Sequence, residues 1–375
     1  MRNSISIGSP GVTIPPMDNV ISQAVRNEEK GYDSIWWPDH LMGWIPQSVW
    51  TSDLFGIAGF IQSPNLFLEP TTTIAAVASR TERITLGTAV IDVIRRHPAV
   101  LAQTIMTLDH AAKDRLVIGI GTGERENISP YGLPYDRLAD RVEEAIHIMR
   151  LLWESNGSEV NYNGKFWKLK NAVLNLPPYG EKPPPIWIAA HRLRMLQVVG
   201  RLGDGWLPTQ MTKAEYQRAI EIVQKEARAV GRDPSSITHG MWAWTILARD
   251  EETVRRMLES PFAKVTALIL PSETFEELGY EHPLGKKFYG LTDFIPNNYN
   301  RAEIMSAIGK VPPEVCERAF LFGTPDQVIR KIEEYAELGL QHIVLWNCTY
   351  FCDFTKLTDS FHCMDEILRH FKLNK

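Results

Sequence analysis

The chain holds only four cysteines, Cys316, Cys348, Cys352 and Cys363. That is too few for a disulfide scaffold. Cys348, Cys352, His362 and Cys363 have the right chemistry for a metal, but their spacing matches no standard zinc pattern. Buried free thiols and no metal are therefore expected. Basic excess is also missing: 40 Lys and Arg stand against 45 Asp and Glu, a net charge of −5. That balance argues against a nucleic-acid or anionic-membrane partner. No apolar run is long enough to span a bilayer and no charged-then-apolar leader is seen, so a cytoplasmic protein is expected. Internal repeats and low-complexity segments are lacking too. What is present, 44% hydrophobic and 23% charged residues, is the composition of an ordinary globular protein.

Strand-like and helix-like stretches alternate along this composition. Ser4–Gly8, Ser34–Pro38, Arg83–Val90, Arg115–Ile120, Ile186–Ala190, Gly205–Pro208, Thr238–Ala248 and His342–Trp346 read as strands. Between them lie helical patterns: Met17–Lys30 ending at Gly31, Pro70–Arg80, Pro98–Ala112, Arg137–Glu154, Thr212–Val230, and one capped at Thr324-Pro325-Asp326 that runs to Leu338. Eight such units predict a (β/α)8 barrel, read as one domain over residues 1–375, with a doubly wound sheet as runner-up. Three segments break the rhythm, near 41–69, 158–175 and 260–299. The middle one reads as a hairpin, Glu159–Leu169, with Asn163-Gly164 as its turn signal. The outer two are long for connecting loops and rich in aromatics: Trp44, Trp50, Phe55, Phe60, Phe67, Phe275, Phe288 and Phe294. They are expected to shape a mouth for an apolar small-molecule substrate. Lid packing or a dimer interface would draw the same residues, and a homodimer is expected.

The chemistry concentrates at two strand ends. Trp36-Trp37-Pro38-Asp39-His40 closes the second strand, with Trp44 four residues beyond. The fourth strand runs into Gly121-Thr122-Gly123-Glu124. In a parallel barrel these ends open on one face, so His40 and Glu124 are expected to share a pocket. Asp39 is expected to set the His40 tautomer or raise its pKa. Gly119-Ile120-Gly121-Thr122-Gly123-Glu124 imitates a dinucleotide fingerprint, but Glu124 stands where glycine is needed and Ser129-Pro130 where a phosphate-binding helix should begin. The glycines read instead as backbone lying against a planar ring, or as a tight turn. Arg192 and Arg194, at the start of a helix, suit a phosphate or form a solvated basic face.

At these residues the chain resembles the luciferase-like flavin and deazaflavin oxidoreductases, and specifically their coenzyme F420-dependent branch. The resemblance rests on Gly31-Tyr32-Asp33-Ser34-Ile35-Trp36 before Asp39-His40, on Gly87-Thr88-Ala89-Val90, and on His97-Pro98 through Gln103-Thr104. It continues in Gly121-Thr122-Gly123-Glu124 with Asn127, Ile188-Ala189-Ala190 and Gly203-Asp204-Gly205-Trp206. Within the branch the chain is most similar to phthiodiolone-type ketoreductases, as in Glu124-Arg125-Glu126-Asn127 and Leu176-Pro177-Pro178-Tyr179. The resemblance implies F420 held across the strand ends, with FMN as the alternative. It places Asp39 at the cofactor head, a cis Ala89–Val90 bond behind the ring, and cofactor contacts at Asp92, Asn127, His191, Arg192, Arg194 and Met195. It further implies hydride transfer between deazaflavin C5 and a carbonyl or secondary alcohol. His40 would be the proton donor to oxygen, Glu124 the manager of the ring's proton, and Trp44 a pocket wall. Departures weaken the sugar-phosphate dehydrogenase variant: Thr13 replaces a carboxylate and Thr209-Gln210-Met211 a phosphate-binding lysine; Arg192, where glycine is frequent, departs from the family at the phosphate contact. Methylenetetrahydromethanopterin reduction, FMN-dependent monooxygenation and a non-catalytic deazaflavin-binding protein are the remaining alternatives.

Overall fold

A computed structural model describes residues 5–373. Eight parallel strands close on themselves: β1 Ser6–Pro10, β2 Ser34–Trp37, β3 Thr85–Thr88, β4 Leu116–Gly121, β5 Ile186–Ile188, β6 Gly205–Trp206, β7 Thr238–Leu247 and β8 His342–Asn347. Each pairs with the next, and β8 pairs with both β7 and β1, which completes the (β/α)8 barrel. The doubly wound alternative is thereby excluded. The first strand sits two residues later than predicted, and Ser4 lies outside the described residues. The third is interrupted: β3 stops at Thr88, the Ala89–Val90 peptide is cis, and Ile91–Asp92 resumes pairing against β4.

Helix boundaries follow local signals. The helix Met17–Lys30 stops where Gly31 takes φ 88° and returns its N–H to the Asn27 and Glu28 carbonyls. Pro70 and Pro98 each occupy a first helical turn behind the capping side chains of Glu69 and His97. Thr212 and Glu215 form a reciprocal capping box at the start of Lys213–Ala229.

The barrel interior is filled rather than open. Trp36, Trp187 and Trp242 meet there with Val117, Leu207 and Val344. Room for the large rings comes from glycines on adjacent strands. A Cβ on Gly87 would lie 2.3 Å from the Trp36 ring, and one on Gly205 2.5 Å from Trp187. Large and small residues alternate across the interior, as dense packing requires. The Trp36 indole N–H is satisfied by Ser34 Oγ at 2.7 Å, which contacts His342 Nε2 at 3.1 Å.

The inserted segments carry more structure than the sequence suggests. The hairpin pairs Val160–Asn163 with Lys168–Ala172. Its reversal is not a two-residue Asn-Gly turn but spans Gly164–Trp167, closed by Gly164 N–H to the Trp167 carbonyl at 3.0 Å. The buried Glu144 carboxylate organises it, accepting from the N–H groups of Lys165, Phe166 and Trp167 at 2.9, 3.0 and 2.8 Å. Hydrogen bonds to a charged group are the strong ones, so Glu144→Ala is expected to lower unfolding free energy by about 2–3 kcal/mol. A shift in the urea midpoint and faster amide exchange at 165–167 would show it; an unchanged midpoint would refute the role.

The segment 260–299, read as irregular, contains the helices Pro261–Ala267 and Ser272–Glu277. Phe275 and Phe288 pack there around the buried His282. Two more helices, Arg301–Ile308 and Pro313–Ala319, and the strand Leu321–Gly323 beside β7 were not foreseen. Cys316, Cys348 and Cys363 are buried thiols as expected, whereas Cys352 is only half-buried. Among the described residues no helix is long and apolar enough to cross a membrane.

Candidate active site

The end of β2 turns outward through Pro38 and is pinned by charge. The buried Asp39 carboxylate takes the guanidinium groups of Arg95 at 2.8 Å and Arg96 at 2.5 Å. Arg95 is in turn fixed by Asp92, whose carboxylate also accepts from the N–H groups of Ile94 and Arg95 at 2.8 Å each. Asp39 therefore does not orient His40, contrary to expectation: two arginines compete for its carboxylate. Asp39 and Asp92 are joined in one ionic network that holds the loop.

The residue that does orient His40 is Asn127. Its Oδ1 accepts from the backbone N–H groups of Leu41 and Met42 at 2.7 and 2.9 Å. Two donors on one oxygen fix the amide, so the NH2 must face the other way. There it lies 2.9 Å from His40 Nδ1 and donates to Glu124 Oε2 at 3.4 Å. Nδ1 also meets the Met42 carbonyl oxygen at 3.2 Å, so it accepts from Asn127 or donates to that carbonyl according to the tautomer. Glu124 Oε2 stands 3.4 Å from the same Nδ1, with side-chain exposures of 14% for His40 and 31% for Glu124. The imidazole and carboxylate, far apart in the chain, share one rim. Phe67 stacks on the imidazole at 5.1 Å.

Behind Glu124 stands a residue the sequence reading quoted but did not single out. Glu126 is 0% exposed, and burial, then the Glu124 charge, pushes its pKa up to about 11. No hydrophobic period marks it, although it falls in the Glu124-Arg125-Glu126-Asn127 stretch that carries the resemblance. The only available signal was a second carboxylate two residues from the first in Glu124-Arg125-Glu126.

The glycines of the false fingerprint have a packing role. A Cβ on Gly119 would come 2.0 Å from the Thr88 carbonyl oxygen, and one on Gly121 would come 2.6 Å from Val90 Cγ2. They admit the interrupted β3 segment, and Ala89 and Val90 stand half-exposed beyond it. Gly123 alone is a turn glycine, with φ 73°.

The rim continues past β5. His191 Nε2 accepts from Thr209 N–H at 3.1 Å and faces Thr209 Oγ1 at 2.9 Å. Packing around the ring pushes its pKa down, although the residue itself is exposed on the rim. The helix Leu193–Leu202 opens here with no side-chain cap on its first N–H groups. Arg192 reaches Glu273 at 3.4 Å and lies over the Tyr289 ring; Arg194 pairs with Asp140 and Glu143. Both guanidinium groups are exposed but paired with acids, and Met195 is buried in the core. Lys213 is paired with Glu334 at 2.9 Å.

A cavity of about 230 Å³ is lined by Trp44, Trp50, Phe67, Trp242, Phe262, Trp346 and Tyr350 among others, and Phe67 separates it from the His40 ring on which it stacks. Trp44 stacks on Trp244 at 5.5 Å and meets Trp346 edge-on at 5.6 Å. Of the aromatic residues assigned to the mouth, Trp44, Trp50 and Phe67 line this cavity. Phe55, Phe275, Phe288 and Phe294 are instead buried in a second apolar cluster, and Phe60 is exposed against Phe354. The strand tryptophans were missed, although Met241-Trp242-Ala243-Trp244 alternates with the period that puts both rings on one face.

A filled parallel barrel with an imidazole–carboxylate pair at the strand ends defines a class, and the chain belongs to it: residues 2–342 match the luciferase-like monooxygenase family. Among its relatives is the phthiodiolone/phenolphthiodiolone dimycocerosates ketoreductase of Mycobacterium tuberculosis strain H37Rv, 39% identical over 89% of this chain and 88% of the relative. The F420-dependent glucose-6-phosphate dehydrogenase of Gordonia bronchialis is 29% identical over 87% of this chain and 86% of its own. The fold is shared with an F420-dependent secondary alcohol dehydrogenase (TM-score 0.72, 22% identity, covering 95% of this chain and 99% of the other). It is shared too with the coenzyme F420-dependent tetrahydromethanopterin reductase of Methanopyrus kandleri (TM-score 0.74, 21% identity, 98% and 99% covered).

Proposed function

We propose that this protein is an F420-dependent oxidoreductase that interconverts an apolar ketone and its secondary alcohol. The observation that carries the reading is the His40–Glu124 pair, oriented by Asn127, with the His40 ring stacked on Phe67, a wall residue of the aromatic cavity. The residues present fit a deazaflavin cofactor. His40, Glu124 and Asn127 gather where β2 and β4 end, and the uncapped N–H groups of Leu193–Leu202 suit its phosphate. When bound, the deazaflavin supplies hydride chemistry at C5.

The protein's share is alignment and proton handling. His40 Nε2–H donates to a carbonyl oxygen as negative charge grows there. Glu124 accepts a proton released nearby, and Asn127 keeps both groups in register. Trp44, Trp242 and Trp346 exclude water and favour apolar substrates. Pairing of Lys213 with Glu334 and the presence of Thr209 at the rim speak against a sugar phosphate. The expected result is anaerobic oxidation of reduced F420 by apolar ketones, followed by absorbance, with little or none for sugar phosphates or methylene-pterin. Purification with tightly held FMN and O2 consumption would replace this reading with a monooxygenase; F420 binding without any turnover would replace it with a binding protein.

A further inference from the structure

The geometry points to Glu126 as a positioning residue: a neutral carboxylic acid that shares one proton with Glu124 and keeps it within reach of His40. The inference rests on the proposed function only for its effect on turnover. Glu126 lies on the short turn Arg125–Asn127 directly after Glu124. It is 0% exposed, and neither carboxylate oxygen has a hydrogen-bond partner among the described residues. One ligating atom from each of His40, Glu124 and Glu126 lies within 4.8 Å of the others.

Among the described residues no cation is paired with Glu126. Neighbouring Arg125 donates to the Thr292 carbonyl at 2.5 Å and covers the Tyr135 ring at 4.7 Å. Tyr135 is held neutral by burial and by Glu124 and Glu126, and the next charge on that side is Asp293. The titratable groups near Glu126 are thus Glu124, His40 and Tyr135, with Arg125 and Asp293 acting on Tyr135. Two carboxylates this close, one out of water, are stable only with a proton between them.

Transfer of that proton from Glu126 to Glu124 breaks one O–H bond, forms another and leaves the pair at charge −1. In either arrangement the pair keeps a single negative charge and Glu124 Oε2 stays 3.4 Å from His40 Nδ1, so the ring that donates from Nε2 is held in place.

The test uses the whole protein without cofactor, comparing wild type with Glu126→Gln, which keeps shape and an N–H donor but loses the exchangeable acid. A neutral carboxylic-acid carbonyl band is expected in the infrared at about pH 8 in the wild type and absent in the variant. Stability gives a second readout. A carboxyl whose folded pKa is raised binds its proton in the native state and loses it on unfolding, so it makes stability fall as pH rises above its unfolded value. Tm should therefore fall from about pH 5 to about pH 9 more steeply in wild type than in Glu126→Gln. With cofactor and substrate, the variant should lose about 10-fold in kcat with a displaced pH profile.

If Glu126→Gln does not fold, Glu124→Gln takes its place: removing the adjacent charge should lower the pH at which the band titrates by about one unit. Absence of the band, or curves that superimpose, would overturn the proposal. So would manganese binding to wild type that Glu126→Gln abolishes, since a cation would then neutralise the trio. If the band and stability results hold while no ketone is reduced, the proton-sharing stands and the proposed function fails.

Discussion

His40→Ala is expected to reduce kcat by about 10²–10⁴-fold, the range for loss of a direct general acid. The loss should fall on kcat more than on KM, because proton donation matters only once charge develops on the substrate oxygen. Folding should survive: His40 sits on the rim, outside both large apolar clusters. Its removal does leave the Asn127 amide short of one partner, though Glu124 Oε2 at 3.4 Å remains. A comparison with His40→Gln separates the two effects, since glutamine restores a polar contact without a titratable proton. Steady-state kinetics over pH, with circular dichroism as the folding control, decides the matter. A variant that keeps kcat within about twofold would remove His40 from the chemistry.

Gly119→Ala should be among the most destabilising single changes in the barrel. The new methyl would stand 2.0 Å from the Thr88 carbonyl oxygen, a backbone atom that cannot rotate aside. Thr88 Oγ1 is also tied to Gly119 at both its carbonyl and its N–H, at 2.9 and 3.0 Å. Relief would require β3 and β4 to separate, so a loss of about 3 kcal/mol or more is expected, at the upper end for overpacking. Gly132→Ala is the control. It sits at φ 74° with no neighbour within 4 Å, so only the backbone term of about 1 kcal/mol applies. Denaturant titration of both variants tests the contrast, and equal losses would show that crowding at Gly119 is absorbed elsewhere.

The contrast between these two sites shows what a linear chain reveals. Period, caps and glycine stops are local, and they marked the eight strands to within two residues and the first helix to the residue. The meeting of His40 and Glu124 was also legible, because a parallel barrel sends all its strand ends to one face. What sequence could not carry was the choice of partner for each charge. Asp39 sits beside His40 in the chain yet binds Arg95 and Arg96, while Asn127 crosses from another strand to hold the imidazole. Arg192 and Arg194 read as free basic groups until Glu273, Asp140 and Glu143 came into view. Burial of Glu126 was equally hidden, since nothing local distinguishes it from a solvated glutamate.

The tryptophan-filled interior has one more consequence. With Trp36, Trp187 and Trp242 stoppering the tube from within, there is no rear exit through the cylinder. Whatever is admitted at the top leaves by the same doorway. On the proposed function, a cofactor and a substrate sharing that entrance would come and go in sequence, the deeper one arriving first and departing last.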